Sequence, residues 1–153
     1  MLNTTLMLHS LLRWVVVILL LASTLSAVVG WFGRRGWTSR DDKLGKWLTM
    51  SADIQLLLGI LLYAISPIVI AARADFRAAM GDAALRFWSV EHSLMMLVAI
   101  VLIHVGRARS KRAIDAIQKH KQAAIFFGLA ILLMLVAVPW PGMAQARPLL
   151  PGF

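Results

Sequence analysis

No cysteine occurs in this chain, which excludes disulfides, thiolate zinc sites, iron–sulfur clusters and covalently attached c-type haem. Haem held by histidines is not excluded by that absence. Charge is also scarce: 15% of the residues are charged, against about 25% in a typical soluble domain. Acidic residues number seven against sixteen lysines and arginines. The sequence has no G-x-x-x-x-G-K-[ST] loop, no H-E-x-x-H and no stretch of polar sequence long enough for a soluble catalytic domain.

What is present in abundance is apolar sequence, at 60% of the 153 residues. Four long apolar segments stand out, at about 6–32, 47–71, 85–106 and 123–140. Each has about the 20 residues a helix needs to cross roughly 30 Å of hydrocarbon. A helix satisfies all its backbone hydrogen bonds internally, and these segments are too long and too uniformly apolar for barrel strands. The first segment lacks Lys or Arg before Arg13 and ends in Arg34 and Arg35, a stop-transfer pattern rather than a signal peptide. The expected fold is therefore all-α, an up-down bundle of four transmembrane helices, followed by an extended tail over 141–153. Pro67 is expected to kink the second span.

The net charge of +9 is concentrated in loops. Arg34, Arg35, Arg40, Lys43 and Lys46 follow the first span. Arg107, Arg109, Lys111, Arg112, Lys119 and Lys121 lie between the third and fourth. The middle loop offsets Arg73, Arg77 and Arg86 with Asp75 and Asp82. The positive-inside rule places the two basic loops in the cytoplasm and both termini on the outer, periplasmic side. Charge spent on orientation is not a nucleic-acid face, and no nucleic-acid module is visible. Trp31, Trp37, Trp47, Trp88 and Trp140 fall near span ends, as an aromatic belt does.

Ionisable residues within spans need a physical reason. His9 and Arg13 lie in the first span, Asp53 and Gln55 in the second, and Glu91, His92 and His104 in the third. His9 and His92 share a depth near the outer end on different helices. Such a pair can ligate one haem b iron from both sides, with Arg13 or Arg86 meeting a propionate. Two interfacial histidines touching water or headgroups would show the same pattern. Arg13 and Glu91, at similar depth, are expected to pair. His104 follows His92 by about 18 Å along the helix and about 120° around it, which argues against a second haem stacked under the first. Asp53 and His104 share the inner ends of adjacent helices and are expected to approach each other, as a tie between helices or as a point of proton entry. Gln55, Gly59 and Tyr63 share one face of the second span and read as close helix packing. Met95 and Met96 follow His92 within one turn and offer soft alternative ligands for haem or copper, although methionine in an apolar helix is usually packing. His120, between Lys119 and Lys121, is expected to be solvated.

The segments His9–Trp14 (HSLLRW), Leu85–His92 (LRFWSVEH) and Ile103–Arg107 (IHVGR) together resemble a group of small four-span bacterial membrane proteins often labelled cytochrome b-like. Asp42–Gly45 (DKLG) and Gln55–Gly59 (QLLLG) extend the resemblance over most of the chain. It implies the four-span fold, a location in the bacterial inner membrane and, through the label, a haem; it implies no substrate. Three classes of function follow. One is a single-haem b-type cytochrome carrying electrons between quinol and a partner. The second is a cofactor-free accessory subunit of a larger membrane complex. The third is a proton or metal transporter, disfavoured because four spans offer few helices for a pathway and no ionisable residue lies between Val16 and Leu25 or between Leu97 and Leu102.

Overall fold

The computed structural model describes residues 1–140, 142, 143 and 145, and the described residues are helical almost throughout. The helices are α1 (Leu2–Phe32), α2 (Ser39–Ile65), α3 (Pro67–Ala74), α4 (Phe76–Gly81), α5 (Ala83–Arg86), a π-helical turn (Phe87–Glu91), α6 (His92–Arg112) and α7 (Ala116–Ala137). Four helical stretches are long and apolar enough to cross a membrane: α1, α2, the continuous run Ala83–Arg112, and α7. The tail expected over 141–153 falls mostly outside the described residues.

Helix starts are written locally. α2 opens on a capping box in which Thr38 and Asp41 each accept the other's backbone N–H. Asp75, Asp82 and Asp115 accept from Ala78, Leu85 and Gln118 N–H at the starts of α4, α5 and α7. These caps set boundaries that hydropathy does not see. α2 begins at Ser39 rather than near residue 47, and α7 at Ala116 rather than near residue 123, because each helix runs on past the apolar zone into its basic loop. Pro67 does more than kink the second span. It holds Ser66 extended (φ −71°, ψ 125°), ends α2 at Ile65 and starts α3 as a first-turn proline.

The four long helices pack in a ring of sequence neighbours: α1 on α2, α2 on α6, α6 on α7, and α7 back on α1. The diagonal pairs, α1 with α6 and α2 with α7, make little contact. The α6–α7 seam is the most closely packed and the α2–α6 seam the least. The start of α1 and the end of α7 lie at one end of the bundle, here the terminal end; the two basic loops lie at the other, the basic end. Short helices α3–α5 fold across the terminal end between α2 and α6. The apolar core cluster, including Val16, Leu20, Leu48, Ala52, Ile100, Ile103 and Phe127, fills the middle and the basic half. The outward faces carry Ile18, Leu25, Leu57, Val101, Leu132 and Val136, as lipid-facing helices require.

Candidate functional site

Beyond the core cluster, toward the terminal end, the interior turns polar. His9 projects from α1 toward α2, where its Cε1 would meet a Cβ built on Gly59 at 3.6 Å. Gln55 Nε2, one turn from Gly59, donates to the His9 carbonyl at 3.0 Å. Tyr63, a further turn along, donates to Ser89 O at 3.0 Å. The Gln55–Gly59–Tyr63 face thus holds the first and third spans against the second. His9 Nδ1 is enclosed and has no hydrogen-bond partner, a costly state for a buried polar atom. Gln55 Oε1 is in the same position.

His92 opens α6 from the opposite corner of the bundle. The π turn before it inserts one extra residue, with His92 N–H donating to Phe87 O, and so re-aims the ring. Its Nδ1 lies 2.8 Å from Ala137 O at the end of α7. A carbonyl only accepts, so Nδ1 carries the proton and Nε2 is the basic nitrogen of the neutral ring. Phe87 and Trp88 flank the imidazole, with ring centroids at 5.8 and 5.4 Å. His9 lies within electrostatic range of both His92 and Arg13. Arg13 also stacks its guanidinium on Trp14 at 5.5 Å.

The expected Arg13–Glu91 pair does not form. Glu91 takes Arg86 instead, at 2.7 Å, and Arg86 also donates to Met80 O at 2.8 Å. The reason is proximity: Arg86 lies five residues back on the same continuous helical run, whereas Arg13 is diagonally across the bundle. Asp53 Oδ1 and His104 Nε2 are 2.7 Å apart across the α2–α6 seam, with both side chains about half exposed on the outer face of the bundle.

Two features of the basic end were not foreseen. His120 is fully buried rather than solvated, because α7 already starts at Ala116, four residues before it, and turns it inward against Gly30 and Trp37. Asp41 is buried as well. It accepts from Ser26 at 2.6 Å, from both Arg35 terminal nitrogens at 2.7 and 3.1 Å, and from the Thr38 hydroxyl and N–H at 2.6 and 2.9 Å. The hydrogen bonds from Arg35 to Asp41 raise the guanidinium above its ordinary value, so it stays cationic at any working pH. The T-x-x-D spacing of Thr38 and Asp41 was the available signal for this network. Nothing in the spacing pointed to Ser26.

Among the described residues no group of three or more His, Cys, Asp or Glu side chains could hold a metal ion. A site in the terminal half would thus rest on two histidines, the number needed when a macrocycle supplies the other ligands. Comparison with protein-family models, with curated proteins and with solved structures returned no match.

Proposed function

We propose that the terminal half of the bundle is a bis-histidine haem b site and that the protein is a small membrane cytochrome. The observation that carries this reading is the enclosed ring nitrogen of His9 on α1, without a hydrogen-bond partner, with His92 on the diagonal helix α6, in the half where the apolar core gives way to polar side chains. The residues fit the group. His9 has an enclosed ring nitrogen without a protein partner. The Ala137 carbonyl fixes the His92 tautomer that leaves Nε2 basic, the outer-sphere arrangement usual for metal-bound histidine. Arg13 stands near enough to His9 to meet a propionate. Arg86, the other arginine considered for that role, is held by Glu91 and the Met80 carbonyl.

A haem bound there would supply one-electron transfer inside the bilayer. The chain's own residues would set its conditions. Gln55 holds the backbone at His9, Phe87 and Trp88 wall the His92 ring, and α3–α5 fold across that end between α2 and α6. The charge of the basic loops supports an orientation with the basic end in the cytoplasm and the haem in the outer half of a bacterial inner membrane. Electrons would pass between quinol and another membrane subunit.

The test is the visible spectrum of protein purified after expression with ample haem. The expected result is a Soret band that His9→Ala and His92→Ala each abolish and His104→Ala leaves in place. A colourless wild-type protein ends this reading, and the cofactor-free accessory subunit takes its place.

A further inference from the structure

Asp53 and His104 form a polar pair in an unusual place. Both project from the outside of the bundle, across the α2–α6 seam, and their side chains are 53% and 45% exposed. The pair lies below the level of the basic loop. Asp53 is about 9 Å further along α2 than Trp47, and His104 about 4.5 Å further in than Arg107, at about 1.5 Å per residue. Arg107 is itself bonded to Asp42 at 2.7 Å, at the mouth of the same seam. One turn away on each helix the surface is apolar and exposed: Met50 and Leu57 on α2, Val101 on α6, with Leu97 a turn beyond. An ionisable pair with this exposure at this depth is costly in hydrocarbon unless something covers it.

Among the described residues neither side chain makes any hydrogen bond but the one they share. The carboxylate only accepts, so His104 Nε2 carries the proton, and Asp53 Oδ2 and His104 Nδ1 both remain as acceptors. The pair therefore offers two acceptors on the outer face of the least packed seam. The Asp53 carboxylate disfavours a phosphate. What fits is a neutral ring headgroup whose hydroxyls donate hydrogen bonds, carried on an apolar tail. We propose that the Asp53–His104 pair binds the headgroup of a membrane quinol, its tail lying along Leu57, Leu97 and Val101 toward the bilayer centre. The site deepens the quinol partner of the proposed function but does not need the haem, because the pair faces outward whether or not His9 and His92 bind iron.

The test uses the full chain in nanodiscs of neutral phospholipid with a tritiated azido-ubiquinol, kept reduced without oxygen, as the probe. Saturable photolabelling is expected on the peptides spanning 46–61 and 97–108, competed by unlabelled decyl-ubiquinol. Asp53→Asn and His104→Asn should each lower that labelling at least tenfold, while Leu132→Asn on α7 leaves it unchanged. Circular dichroism and gel filtration establish that each variant is folded. Labelling absent from those two peptides, or equal in wild type and both variants, overturns the proposal. Crosslinking of Leu57→Cys to its counterpart in a second copy, with no labelling, also overturns it and assigns the seam to self-association. A Soret band lost in these variants would bear on iron, not on this site, so the two readings fail separately.

Discussion

The imidazole of His120 in α7 lies directly on the backbone of Gly30 in α1, so close that no side-chain carbon fits at position 30. The contact is fully enclosed, and Trp37 covers the ring from the loop at a centroid distance of 4.8 Å. One glycine thereby lets two helices and the first basic loop share a single buried ring.

Gly30→Ala should cost about 1–3 kcal/mol, the usual penalty for overpacking a closed core. Gly36→Ala, whose added carbon would meet nothing within 4 Å, should be close to neutral. Unfolding of the purified protein by SDS titration in mixed micelles compares the two. Equal stability of the two variants would show that the His120 contact is not tight in solution.

Asp41→Ala should destabilise the first basic loop by about 2–4 kcal/mol. The substitution strands the hydrogen bonds of Ser26, Thr38 and Arg35, and it leaves a partly buried guanidinium without its carboxylate. Asp42→Ala, which breaks a pair whose acid is half exposed, should cost under about 1 kcal/mol. The same titration reads both.

Glu91→Gln should likewise change stability by no more than about 1 kcal/mol, because both partners of the Arg86–Glu91 pair are 40% exposed. Had Glu91 instead neutralised Arg13 inside the bundle, the loss would be several-fold larger. The size of the effect therefore reads out which arginine the carboxylate holds.

Gly59→Ala adds a carbon at ordinary contact distance from His9 and should leave any haem spectrum intact. Gly59→Leu should push the imidazole aside and weaken or abolish the Soret band. A spectrum unchanged in the leucine variant would place the ligand elsewhere than His9.

Orientation can be read by labelling, since the chain has no native cysteine to interfere. Ile114→Cys, in the fully exposed turn between α6 and α7, should react with an impermeant maleimide only after the membrane is opened. Arg77→Cys, exposed on α4 at the other end, should react in intact cells. The reverse pattern would invert the topology proposed from the loop charges.

The sequence by itself determined the four membrane-crossing helices. Runs of about 20 apolar residues leave the backbone no alternative in lipid, and short loops make sequence neighbours pack side by side. It also brought out the polar residues of the terminal half, since every ionisable side chain in a span stands out against leucine. Helix ends were less legible, because hydropathy tracks the membrane whereas caps such as Thr38 with Asp41 and Asp115 track hydrogen bonding. The choice of partners was decided by tertiary structure alone. Depth along a helix is linear in sequence, so Asp53 could be matched with His104. Rotation about the axis is not, because it depends on where each helix starts and on which faces pack together. Tertiary structure therefore gave Glu91 the nearby Arg86 instead of Arg13, turned His120 inward instead of into water, and left the Asp53–His104 pair on the outer face rather than in the bundle core.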